Sequence, residues 1–125
     1  AFAGAEANPS PPPGSKISGL CESWNGTSWT EVNNVNSAKW DRAGWGIATA
    51  AMAAGGYPPT TATEIWNGTS WTTSPAGMGS AKYAMASNIG TQALGLVAGS
   101  GASPLPTATE EWNESPISAN TVTTS

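Results

Sequence analysis

Two apolar, small-residue stretches stand out along an otherwise polar chain. Residues 47–56 read Ile-Ala-Thr-Ala-Ala-Met-Ala-Ala-Gly-Gly, and residues 93–99 read Ala-Leu-Gly-Leu-Val-Ala-Gly. Both suit short strands crowded from both faces, where small side chains let neighbouring sheets approach closely. A helix competes for the alanine-rich run. The bounding glycines and the β-branched content of the second copy weigh against it. Downstream of the first stretch lies Trp66-Asn67-Gly68-Thr69-Ser70-Trp71-Thr72, an identical copy of Trp24-Asn25-Gly26-Thr27-Ser28-Trp29-Thr30, 42 residues earlier. Asn-Gly between strand-forming residues is a strong hairpin signal, because both positions of a two-residue turn need positive φ. The predicted turns are Asn25-Gly26 and Asn67-Gly68. With period-two alternation, Trp24 then faces Thr27 and Glu22 faces Trp29. All four side chains share one face, and the indoles meet diagonally.

Other segments recur in the same order. Glu22, Glu64 and Glu110 each precede a Trp by two residues, the third copy being the degenerate Trp112-Asn113-Glu114-Ser115. Ser37-Ala38-Lys39-Trp40 returns as Ser80-Ala81-Lys82-Tyr83, and Thr61-Ala62-Thr63-Glu64 as Thr107-Ala108-Thr109-Glu110. Ala54-Gly55-Gly56 returns as Ala98-Gly99-Ser100 and, more weakly, aligns with Ala3-Gly4-Ala5. Prolines fall between these blocks at 9–13, 58–59, 104 and 106. The repeat defines a single domain of approximate cycles 1–36, 37–79 and 80–125. Each cycle is predicted to hold four strands: the run after Ser-Ala-Lys, the Ala-Gly strand, the Thr-x-Glu-x-Trp strand and the Ser-Trp-Thr strand. Trp24, Trp29, Trp66, Trp71 and Trp112 are the predicted repeat-core aromatics. The fold class is therefore all-β.

Composition alone would point elsewhere. Only 10% of residues are charged, and Gly, Ser, Thr, Ala, Asn and Pro dominate, a bias that often accompanies disorder. Seven tryptophans at fixed intervals argue instead for a packed repeat. The net charge is −4, with Lys16, Lys39, Arg42 and Lys82 as the cations. Four scattered cations cannot build the basic face that follows phosphates, so nucleic acid is not an expected partner. No apolar stretch approaches the ~20 residues that span a bilayer, so no membrane insertion is expected. No basic region precedes an apolar core at the N-terminus, so no signal peptide is read. The absence of an initiator Met fits a processed form or a segment of something longer.

These recurring blocks resemble the kelch repeat of β-propellers. Gly55-Gly56, Trp66, Trp71 and Ser80-Ala81-Lys82 stand where that repeat has its Gly-Gly, its aromatic, its Trp and its small and basic segment. Trp replaces the usual Tyr at the first aromatic, and the Trp-to-Trp spacing is slightly short. The Trp-Asn-Gly-Thr-Ser-Trp variant is similar to repeats in predicted phage appendage and bacterial surface proteins. The resemblance implies four-stranded antiparallel blades. Propellers close with about four to eight blades, and three incomplete cycles fall short of that. The units are then expected to form an incomplete propeller or a stack of β repeats completed by oligomerisation, or to be part of a longer propeller.

Candidate chemistry is sparse. There is no histidine, which removes Ser-His-Asp and Cys-His arrangements and the commonest zinc ligand. Cys21 is the lone cysteine. The repeat-equivalent glutamates suggest a structural role, and the adjacent Glu110-Glu111 would point to opposite faces of a strand. No phosphate-binding or calcium-binding loop is present. No cofactor, metal or catalytic residue is assigned, and an enzyme is not expected. Asn25, Asn67 and Asn113 head Asn-x-Ser/Thr sequons and are candidate glycosylation sites, although turn chemistry accounts for the same residues. Trp40, Trp45 and Tyr83 are candidate ligand or subunit contacts, with core packing as the competing reading. The expected function is a non-enzymatic structural subunit of an extracellular fibre, filament or virion appendage such as a phage tail, partnered by copies of itself. The alternative is a carbohydrate- or host-receptor-binding module.

Overall fold

The computed structural model describes residues 2–4, 18–101, 109–114 and 117–122. The proline-bearing stretches 9–13 and 104–106, and the sequon residue Ser115, lie outside them. Eleven strands are present among the described residues, in three antiparallel sheets, and none of the sheets closes on itself. The first sheet contains β1 (Phe2–Gly4), β2 (Cys21–Trp24) and β3 (Trp29–Val32). The second contains β4 (Ala43–Ile47), β5 (Ala50–Ala54), β6 (Thr63–Trp66) and β7 (Trp71–Thr73). The third contains β8 (Ala86–Thr91), β9 (Leu94–Ala98), β10 (Thr109–Glu114) and β11 (Ile117–Val122). Within each sheet the strands follow one another in chain order.

The registers expose the repeat directly. Ala3, Ala53 and Val97 pair with Glu22, Glu64 and Glu110 respectively. Ala3 therefore matches Ala53, one residue away from the alignment that the Ala-Gly motif suggests. The small-residue run becomes β5, a strand buried on both faces. Alternation and pairing place Ala51 and Ala53 with Glu64, Trp66 and Trp71 on one side of the second sheet. Ala43, Trp45, Met52, Ala54, Thr63 and Ile65 lie on the other side.

Two hydrophobic layers follow from this division. The first joins Ala51, Ala53, Trp66 and Trp71 to Cys21 of the first sheet, with Val32 and Val35 packed alongside. The second joins Ala43, Trp45, Met52 and Ala54 to Val97 and Trp112 of the third sheet, closed by Met78. The three sheets thus lie face to face, with the second covered on both sides. β4 and β8 also lie against each other.

The hairpin register differs from the expected one. Trp24 pairs directly with Trp29, and Glu22 with Glu31, across a four-residue loop. Trp66 likewise pairs with Trp71. The cause lies in the asparagine side chain. Asn25 Oδ1 accepts the N–H groups of Thr27 (2.8 Å) and Ser28 (2.9 Å), while the Asn25 N–H donates to the Ser28 carbonyl (3.2 Å). Asn67 repeats all three bonds with Thr69 and Ser70. Within these two loops only the glycines adopt positive φ, 99° at Gly26 and 95° at Gly68. This is an Asx-stabilised loop and not the two-residue turn with both φ values positive. Glu22, Trp24 and Trp29 still share a face, whereas Thr27 belongs to the loop.

Candidate functional site

The repeated glutamates are the polar anchors of the stack. Residues 33–42 connect the first sheet to the second, and residues 74–85 connect the second to the third. Each connector ends its polar requirements on the Glu of the sheet it enters. Glu64 Oε2 accepts the Asn36 N–H (2.7 Å), and Oε1 accepts the Ser37 N–H (3.1 Å) and an Arg42 guanidinium N–H (3.0 Å). Glu110 Oε2 accepts the Gly79 N–H (2.7 Å). Its Oε1 accepts the Ser80 N–H (3.3 Å), the Ser80 hydroxyl (3.1 Å) and the Lys82 ammonium (2.5 Å). Both carboxylates and the whole Lys82 side chain are buried. Such a pair repays desolvation only when the remaining lone pairs are also satisfied, and the connector N–H groups do that here. Burial pushes the Glu110 carboxyl up. The Lys82, Gly79 and Ser80 donors outweigh it and hold the carboxyl below the ordinary glutamate range.

The sequence alignment missed which cation serves which carboxylate. Lys39 is the sequence counterpart of Lys82, yet Arg42, three residues later, takes the position on Glu64. Its longer planar fork spans both Glu64 and the Ser37 carbonyl (3.0 Å). The visible clue was that both connectors carry a cation, Lys39 and Arg42 in the first and Lys82 in the second.

The first sheet shows the same constellation without its cover. The Trp24 and Trp29 rings lie 5.4 Å apart at 43°, and the Trp66 and Trp71 rings lie 5.3 Å apart at 43°. The local geometry is duplicated, but the environments are opposite. Trp66 and Trp71 are 1% and 9% exposed, whereas Trp24 and Trp29 are 37% and 48% exposed. Glu22 is exposed too, and among the described residues no connector reaches it. Of the five predicted core tryptophans, Trp66, Trp71 and Trp112 are therefore core, and Trp24 and Trp29 form a surface patch.

Trp45 is the reverse correction. As a candidate ligand or subunit contact it required exposure, but it is buried between the second and third sheets. Gly95 explains the difference, because a Cβ there would stand 2.3 Å from Trp45 Nε1 and 2.4 Å from its Cε2. The glycine leaves the space that the indole fills. Trp40 and Tyr83 do sit together, through Tyr57, which the sequence did not single out. Trp40 and Tyr57 stack edge to face at 5.5 Å, and Tyr57 and Tyr83 at 5.1 Å. Trp40 and Tyr57 are partly exposed, and the Tyr83 hydroxyl donates to the Gly101 carbonyl (2.6 Å).

The sequon residues Asn25 and Asn67 are exposed at loop tips, where their Oδ1 atoms hold the turns, and Asn113 is half-buried. Cys21 is buried, and burial pushes its thiol up against the lowering contributions of the Val35 backbone and Trp71. Among the described residues, no three His, Cys, Asp or Glu side chains gather as a metal-holding group. No protein-family model matches the chain, and no curated protein matches it significantly.

Proposed function

We propose that the chain is a structural, non-enzymatic module whose working surface is a sheet face, and that it builds an extracellular fibre, filament or virion appendage by stacking β repeats. In this reading the sheets are kelch-like blades, arranged as an incomplete propeller or an open stack. The carrying observation is the Trp24–Trp29 pair. It repeats the ring geometry of Trp66–Trp71 but stands in solvent where its counterpart is covered. At about 250 Å² per indole and about 25 cal/mol per Å², covering the exposed parts of these rings contributes on the order of 5 kcal/mol. That gain opposes association costs of about 4 kcal/mol or more, so additional contacts are needed for a stable complex. Low charge and Ser-, Thr- and Gly-rich loops support an exposed, extracellular setting. Sedimentation equilibrium over a wide concentration range tests the reading. A mass that rises with concentration is expected, and a constant 12.6 kDa would sink it.

A second reading rests on the Trp40–Tyr57–Tyr83 cluster. Partly exposed aromatic rings with polar tips suit the apolar faces of sugars, which favours a carbohydrate- or receptor-binding module. A glycan-array screen comparing the native chain with Trp40→Ala tests it. Binding that disappears in the variant supports this reading, and the absence of any glycan signal removes it.

A further inference from the structure

The geometry points to one occupant for the Trp24–Trp29 face: the outer face of the third sheet of a second copy, so that chains join head to tail in one direction. This inference rests on the assembly reading above and adds its polarity. Both internal interfaces run the same way. The Glu-x-Trp face of a later sheet always covers the opposite face of the sheet before it. Trp66 and Trp71 cover Cys21 of the first sheet, and Trp112 covers Trp45 and Met52 of the second. Call these two surfaces of each sheet front and back. Among the described residues, one front and one back then remain uncovered: the front of the first sheet and the back of the third.

The uncovered back carries the groups that a front tryptophan meets elsewhere. Ile89 pairs with Leu96 as Trp45 pairs with Met52, so Ile89 and Leu96 occupy the positions of the two residues that receive Trp112. Leu94 lies on the same side two residues along β9. Ile89 is 66% exposed and Leu94 53% exposed. Large aliphatic side chains standing in solvent on one sheet face are the complement that the exposed indoles lack.

Repeat order and charge both favour this pairing over its symmetric rival. Glu22 and Glu31 pair with each other on the front of the first sheet, and both are exposed. Two fronts meeting across a twofold axis would bring four carboxylates together while burying them. The back of the third sheet presents Glu111, paired with Leu96, among its apolar residues. Front to back therefore juxtaposes three carboxylates where front to front juxtaposes four. Such a heterologous contact either closes into a ring or extends as a filament.

The test uses two full-length variants, each blocked on one face. Trp24→Glu with Trp29→Glu blocks the front, and Ile89→Glu with Leu94→Glu blocks the back. All four positions are exposed, and far-UV circular dichroism checks that each variant retains the native spectrum. Should either fail to fold, Gln at the same positions replaces Glu. The wild-type chain is expected to grow beyond two copies with concentration. Each blocked variant alone should associate at least about 30-fold more weakly, as removal of central anchors does. Their equimolar mixture should form a complex of two chains and nothing larger, because one intact front meets one intact back. A back-blocked variant that still associates like the wild type overturns the inference while leaving assembly standing. A mixture that stays monomeric while the wild type assembles overturns it as well. A wild type that is monomeric throughout overturns the assembly reading and the inference together.

Discussion

Glu22, Glu64 and Glu110 are chemically identical and repeat-equivalent, so substituting each with Gln isolates what the connector contributes. Glu110→Gln keeps the side-chain shape but removes the charge. Lys82, whose side chain is fully buried, then faces a neutral amide in place of the Glu110 carboxylate. Leaving one partner of a buried pair uncompensated costs about 3–5 kcal/mol. That is a large share of the roughly 5–15 kcal/mol that holds a domain folded. Glu64→Gln should cost less, because the Arg42 guanidinium retains the Ser37 carbonyl and touches solvent. Glu22→Gln should stay within about 0.5 kcal/mol, as an exposed substitution does. The pH dependence carries a second signature. The Glu110 carboxyl titrates below its ordinary value of 4.5 in the folded chain. As pH falls through 4.5 the unfolded chain takes up a proton that the folded chain refuses, so this group's stabilisation is present above 4.5 and lost as pH falls through the folded value. One proton corresponds to at most about 1.4 kcal/mol per pH unit. Urea denaturation followed by tryptophan fluorescence, at neutral pH and at steps below pH 4.5, measures both effects. Equal midpoints for Glu110→Gln and Glu22→Gln would refute the anchoring role. An unchanged acid slope in Glu110→Gln would refute the charge argument.

Gly95→Ala drives a methyl group into the Trp45 indole and should destabilise by about 1–3 kcal/mol, while adding Trp45→Leu should recover part of the loss. Additive urea midpoints in that double-mutant cycle would show that the two residues do not meet. Trp66→Ala should cost about 3–5 kcal/mol, because it empties a buried site and abandons the indole N–H bond to the Ala48 carbonyl. Trp24→Ala at high dilution should cost about 1 kcal/mol, the worth of an exposed ring pair. Similar losses for the two variants would contradict their opposite burial.

Much of the architecture was legible because it is written twice. The identical Trp-Asn-Gly-Thr-Ser-Trp segments, and the order of strands around them, led to all-β sheets with four strands each in the second and third. The turn register was not legible from the same residues. Asn-Gly serves two loop types, and the choice depends on whether Asn Oδ1 captures the following N–H groups. Trp45 stood between two readings, a contact residue and a core residue, and its burial decides for the core. The choice was not legible from sequence order, because the residue that accommodates the indole is a glycine 50 positions away. Only stacking brings Trp45 and Gly95 together. The exchange of Lys39 for Arg42 at the Glu64 anchor follows the same logic. Alignment equates residues by order, whereas an ion pair equates them by reach.

The directionality of the stack follows from where the connector ends. A connector leaves the last strand of one sheet and places two consecutive N–H groups on the Glu of the third strand in the next sheet. Each Glu-x-Trp strand is therefore fixed by the chain that precedes it, and its tryptophan is pressed onto the sheet which that chain has just left. The first connector strengthens the same link with side-chain amides, from Asn33 to the Thr69 carbonyl (2.7 Å) and from Asn36 to the Trp71 carbonyl (2.9 Å). At the next interface Gln92 reaches back from the β8–β9 turn to the Ala51 and Trp66 carbonyls. These polar ties accompany apolar layers that are non-directional in themselves. The apolar layers make the sheets adhere, and the Glu, Asn and Gln bonds decide which face meets which. The exposed Glu22, Trp24 and Trp29 keep both parts of that specification, a polar acceptor beside an apolar pair, on a face that the described residues leave in solvent.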